Sequence, residues 1–262
     1  MIHHYAGGAV QAAVTGTGPA VWLFHSLLAD AGSCIPLADA LASRHRVIVP
    51  DLPGFGGSAP VAPGLDAVAD RMAQAVQEAG QETGQHAGGA AAIIGNGFGS
   101  FVALVLALRH PALVSRLVLA GTGAAFSEPG RSAFRGMAAA AGANGLQAIA
   151  DTAMRRLFSP AFQEANPALL AERRNQFLAT DPTMFAAACN ALAELDLRDA
   201  MRRLDLPVLI LAGEGDEATP PAMARELAGL IPQARFVELP GLAHVPQLQD
   251  TRAFMAAVDG FI

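Results

Sequence analysis

The sequence predicts an α/β protein: a mainly parallel sheet covered by helices on both faces, with an all-helical segment inserted between two of its strands. Three observations carry this. Apolar runs of strand length alternate with longer helical segments. Each run ends in a cluster of Gly, Pro, Ser or Asp, the loop composition found at the carboxyl ends of strands, where open α/β sheets bind their ligands. The alternation stops between Phe126 and Leu206 and resumes at Val208. A chain of 262 residues suits one such domain with an insertion better than several independent units.

Taken in order, the pattern predicts strands over 20–24, 47–49, 91–94, 117–120, 208–212 and 236–239, and helices over 35–42, 65–79, 100–109, 221–230 and 251–258. Within the interruption it predicts helices over 131–141, 146–158, 167–178 and 182–195, with no strand between them. The expected organisation is therefore a core of residues 1–125 and 207–262 with a helical lid, 126–206. The Gly-, Ala- and Gln-rich stretch 80–90 reads as a surface loop.

Composition removes several function classes. All 17 basic residues are arginine. Without lysine there is no Schiff base, no P-loop lysine and no lysine general base. A net charge of −6 and a pI near 5.6 argue against nucleic acid or an anionic membrane as partner. The hydrophobic fraction of 52% and mean hydropathy of +0.35 raise the question of a membrane span. The most apolar stretch, however, runs only from Phe101 to Leu108 before Arg109, His110 and Pro111, against the ~20 residues a span needs. The start, Met1 to Tyr5, lacks the basic and apolar regions of a secretory signal. Cys34 and Cys189 are far apart, which suits free thiols in a reducing compartment, so a cytoplasmic location is expected. The seven histidines form no metal-type pair, and no metal or cofactor is expected.

Four segments carry the chemistry. The run from Ile93 through Gly95, Asn96, Gly97, Phe98 and Gly99 to Ser100 ends a strand and opens a helix, the setting of a G-x-S-x-G nucleophile elbow. The central residue is Gly97, so the elbow has its shape without its nucleophile. Asp216 follows the strand at 208–212, and His244 follows the strand at 236–239. Elbow, Asp, then His is the chain order of a hydrolase triad. His25, Ser26 and Leu27 follow an early strand, where such folds supply an oxyanion-hole amide.

On these residues the sequence resembles the α/β-hydrolase fold family, and most closely the 3-oxoadipate enol-lactonases, which open a lactone ring. The resemblance covers nearly the whole chain. Its general part rests on the segment from Arg46 through Asp51, Pro53 and Gly54 to Ser58, and on the Asp216 and His244 loops. Its narrower part rests on His25, Ser26 and Leu27, and on the segments Ala179 to Pro182, Ala187 to Leu192 and Asp196 to Arg198. The resemblance implies that Asp216 orients His244, that His244 is general base and acid, and that the Leu27 and Phe98 amides form the oxyanion hole. It puts the nucleophile position at Gly97. Ser26, Arg135 and Leu157 are expected at the substrate. Leu157 stands where the family tends to have tryptophan, Ala243 where glycine commonly precedes the histidine, and Gln249 where an acid is common.

Plainer readings stand beside these. Ser100 reads as a helix-start or packing residue, Cys34 as core or pocket lining, and Glu214 and Glu217 as solvated acids. Arg135 either meets a substrate carboxylate or makes a salt bridge within the lid. The expected function is hydrolysis of a small carboxylic ester or lactone, with serine-type turnover absent or very weak because of Gly97. The alternatives are a non-hydrolytic enzyme using the His244 and Asp216 dyad (a lyase, an isomerase or direct water activation), and a small-ligand-binding pseudo-enzyme. A mostly apolar pocket and a monomer or homodimer are expected.

Overall fold

The computed structural model describes residues 1–82 and 90–262. Eight strands form one sheet: β1 (Ile2–Tyr5), β2 (Val10–Thr15), β3 (Ala20–Phe24), β4 (Arg46–Pro50), β5 (Ala91–Asn96), β6 (Val114–Ala120), β7 (Val208–Gly213) and β8 (Ala234–Leu239), in the order β1-β2-β4-β3-β5-β6-β7-β8. From β4 to β8 all neighbours are parallel, whereas β1 and β2 pair antiparallel and β2 joins β4 antiparallel.

The six strands read from the sequence are present. The first two are an addition to that reading. In β2 the side chains of Val10, Ala12 and Val14 are buried and alternate with half-buried ones. That period-two pattern is easily passed over when only continuous apolar runs are sought.

Continuous runs identify the inner strands because both faces of the sheet are covered. Trp22, Phe24, Ile93, Leu117, Leu119 and Ile210 point into one core, and Val21, Leu23, Ile94, Val118, Leu209 and Leu211 into the other. The second core is closed by α1 (Ile35–Leu41) and α12 (Thr251–Val258), through Leu37, Leu41, Phe254 and Val258. The first is closed by α2 (Leu65–Glu82), α3 (Phe98–Arg109) and α10 (Pro221–Leu230). Helix α3 is buried continuously from Phe98 to Ala107, as a helix apolar on all sides must be. Residues 80–82 of the expected loop belong to α2, and 83–89 lie outside the described residues.

Between β6 and β7 the chain is helical: α4 (Glu128–Asn144), α5 (Ala150–Leu157), α6 (Pro160–Ala165), α7 (Pro167–Leu178), α8 (Pro182–Glu194) and α9 (Arg198–Met201). Caps set several starts: the Ser127 hydroxyl accepts from the Gly130 amide, and the Asp181 carboxylate from the Thr183 and Met184 amides. The chain leaves and returns at adjacent points, through the antiparallel bridge of Ala125 with Asp196 and the Leu197 amide on the Ala124 carbonyl. Arg131 fastens this neck by donating to the carbonyls of Phe126, Ala193 and Leu195. A short helix, α11 (Pro246–Gln249), follows the His244 loop.

The topology places the site. The chain steps outward from β3 to β4 and then to the other side of β3 for β5, so strand order reverses there, and a crevice opens beyond the carboxyl ends of β3 and β5. Register aligns Phe24 with Gly95 and Asn96 with Ala120, which brings Ser26, Gly97 and Gly121 to the same edge.

Candidate active site

Gly97 holds φ 53° and ψ −120° between β5 and α3. This is left-handed backbone that glycine adopts freely and other residues adopt at a cost. Close approach explains the flanking glycines. A Cβ on Gly95 would stand 2.7 Å from the Gly99 carbonyl and the Ser100 backbone, and one on Gly99 would overlap the Phe24 backbone. The elbow geometry is therefore complete although its central side chain is missing.

Asp216 and His244 meet. His244 Nδ1 lies 2.9 Å from Asp216 Oδ2, and both side chains are buried. The other carboxylate oxygen accepts from the amides of Ala218 and Thr219 at 2.8 and 2.9 Å, and the Thr219 hydroxyl donates to Oδ2 at 2.7 Å. Burial pushes the Asp216 pKa up, but the charge of His244 and the bonds from His244 and Thr219 outweigh it and hold the carboxyl below its ordinary value. The ionised Asp216 accepts from His244 Nδ1–H, and with one proton on the ring Nε2 is left as an acceptor. The hydroxyl of Ser26 stands 3.3 Å from Nε2.

The loop carrying Ser26 is fixed by His25. The Leu52 amide donates to His25 Nε2 at 3.1 Å, so Nδ1 carries the proton and donates to the Ser26 carbonyl at 2.9 Å. Burial lowers the His25 pKa, which keeps this ring neutral. Among the described residues neither the Leu27 nor the Phe98 amide has a backbone acceptor. Both residues line the same cavity as Ser26, Gly97 and His244, and Phe98 opens α3, whose amino end favours negative charge.

That cavity has a volume of about 250 Å³. Phe101, Phe126, Phe134, Met137 and Leu192 make most of it apolar, and Arg156, Glu217 and Thr219 add polar groups. Two residues expected at the substrate lie elsewhere. Arg135 is exposed and pairs with Glu128 at 3.0 Å, about two turns away along α4, while its neighbour Phe134 takes the cavity side. Leu157 is fully buried beneath the histidine loop, where its carbonyl accepts from the Val245 amide. The arginine at the cavity is Arg156 instead.

Of the remaining candidates, Ser100 spends its hydroxyl on the Ala120 carbonyl at 2.8 Å. Cys34 is buried and its thiol is pushed up to about 12 by desolvation. Glu214 accepts from the Gly241 amide, whereas Glu217, exposed, lines the cavity mouth.

Sequence reasoning missed Asn96, whose side-chain amide donates to the His244 carbonyl at 2.7 Å, and Gln247, which donates to Asn96 Oδ1. A polar residue closing a buried strand was the available signal. Gln249, noted only as a departure, accepts from the Ala243 amide and donates to Ser159 Oγ and the Gly241 carbonyl, tying the histidine loop to the helical segment. Among the described residues no group of His, Cys, Asp or Glu is placed to hold a metal ion, and no helix is long and apolar enough to cross a membrane.

Residues 19–251 match the alpha/beta hydrolase fold family. The chain belongs to it. Over 255 residues it is 32% identical to the polyketide synthase ThaQ of Burkholderia thailandensis, covering 94% of this chain and only 12% of that protein's length. It is 30% identical to a pimeloyl-[acyl-carrier protein] methyl ester esterase of Aromatoleum aromaticum, over 89% of each chain. The solved enol-lactonase of Burkholderia xenovorans LB400 superposes with a TM-score of 0.87 at 29% identity, over all of this chain and 99% of that one. Its relatives in this family thus include both an esterase and a lactonase.

Proposed function

We propose that this chain hydrolyses small carboxylic esters or lactones, with His244 as general base and acid and Asp216 as the group that orients and charge-stabilises it. One observation carries the reading: His244 keeps its carboxylate partner while its Nε2 borders the apolar cavity. The Leu27 and Phe98 amides are the donors for a developing oxyanion, each worth about 3 kcal/mol in comparable sites. Residues 126–206 act as a cap whose phenylalanines wall off the substrate from water. The esterase and enol-lactonase relatives support this substrate class.

Gly97 supplies no nucleophile, so serine chemistry at the elbow is absent. In subtilisin, loss of the serine lowers kcat by about 10⁶-fold, and the remaining groups still give about 10³ to 10⁴ over water. A serine restored at 97 is therefore the direct test. Gly97→Ser and the native chain are assayed on a p-nitrophenyl ester and an enol-lactone. Hydrolysis rising sharply in the variant, as the Ser26 side chain turns aside for the new Cβ, is expected; a native chain and a folded variant that are both inert on every ester and lactone tried overturn the reading.

The missing side chain also favours a second reading, in which the dyad takes a proton directly from a substrate or a water with no covalent step. Native-chain turnover lost in His244→Ala, with no covalent intermediate, distinguishes it. A ligand that binds without turnover in every variant indicates a binding protein.

A further inference from the structure

We propose that Ser26 is the nucleophile of this site, in place of the side chain that position 97 lacks. The inference deepens the hydrolase reading and takes its substrate class from it.

The geometry begins with the space above Gly97. A Cβ on Gly97 would overlap Ser26 Oγ, lie 3.0 Å from Ser26 Cβ and 2.8 Å from His244 Nε2. Ser26 Oγ thus occupies the volume an elbow side chain would fill. It stands 3.3 Å from Nε2, and because Nδ1–H is committed to Asp216, the hydroxyl donates and Nε2 accepts. Ser26, His244 and Asp216 form one continuous relay, the arrangement that activates a serine.

Two other hydroxyls near the site are engaged elsewhere. Thr219 donates to Asp216, on the far side of the ring, and Ser100 to the Ala120 carbonyl. The backbone of Ser26 is held through its carbonyl by His25 Nδ1–H and the Ala29 amide, so the hydroxyl is fixed on a rigid turn. Ser26 borders the cavity, with the Leu27 amide next to it in the chain and Phe98 at the start of α3 across the crevice. Attack from position 26 in place of 97 keeps the base and both amide donors in use.

The chemistry balances with these groups alone. Ser26 Oγ bonds to the carbonyl carbon as its proton passes to His244 Nε2. The ester or lactone C–O bond then breaks, and the leaving alkoxide takes that proton. Water, deprotonated by His244, attacks the acyl-serine, and its proton returns to Ser26 as the acid is released.

The test is covalent labelling of the native chain with an alkyl fluorophosphonate, which forms an Oγ–P bond and expels fluoride, followed by peptide mass spectrometry. A single adduct on Ser26, lost in His244→Ala and in Ser26→Ala, is expected. In Gly97→Ser the adduct moves to position 97. No adduct on the native chain, or one on Ser100 or Thr219, overturns the proposal without need of any variant. An adduct on Ser26 with no ester or lactone turned over sinks the substrate reading alone. Hydrolysis by the native chain that is unaffected in Ser26→Ala sinks Ser26 as nucleophile alone.

Discussion

The side-chain amide of Asn96 donates to the backbone carbonyl of His244 at 2.7 Å, and both residues are buried. Asn96 is the last residue of β5, so a single side chain ties the elbow strand to the histidine loop. Asn96→Leu leaves that carbonyl unpaired, and an expected loss of about 1–3 kcal/mol is read by urea unfolding. Turnover falls more than KM changes, because the ring is displaced while the cavity walls remain.

Gly121 leaves room for the same ring. It holds φ 62°, and a Cβ there would stand 2.9 Å from His244 Cε1 and 3.0 Å from Nδ1. Gly121→Ala therefore carries about 1–3 kcal/mol of backbone strain and moves the imidazole off Asp216. The prediction is a folded, destabilised protein with strongly reduced turnover, checked by thermal unfolding and a steady-state assay.

Arg156 is the cation at an otherwise largely apolar cavity. If it reads a substrate carboxylate, Arg156→Gln raises KM for carboxylate-bearing esters by about tenfold, equivalent to about 1.4 kcal/mol, and leaves KM for neutral esters within about twofold. Equal effects on both substrate types would remove that role.

Asp216 sets an acid limit on stability. Its folded pKa lies below the unfolded value, so its contribution is fully present above about pH 4 and is lost as pH falls through the folded value. Unfolding free energy measured from pH 6 down to pH 2 therefore falls less steeply in Asp216→Asn than in the native chain. Asp70 has the same sign at the surface, held down to about 2 by bonds from Arg109 and His110. Its pair is solvent-screened, so Asp70→Asn changes stability by less than about 1 kcal/mol.

Much of this was legible in the sequence because the informative residues are constrained locally. Strands buried on both faces read as continuous apolar runs, the elbow glycines are demanded by a close backbone crossing, and Asp216 and His244 follow their strands directly. Residues whose role depends on a distant partner were not legible. Asn96 and His244 are 148 positions apart, and Ser26 and His244 are 218 apart. Arg135 and Arg156 both sit on helices of the interrupted region, and only the packing of those helices decides which one turns to the cavity. The edge strand β2 carries its signal in the alternation of small residues, which is weak beside the runs of β5 and β7.

The account rests on His244 as an active base. The most direct measurement is the initial rate of p-nitrophenyl ester and enol-lactone hydrolysis by the native chain and His244→Ala, both confirmed folded by circular dichroism. The account predicts turnover above the buffer rate that falls to that rate in the variant. Turnover that persists in His244→Ala would contradict it.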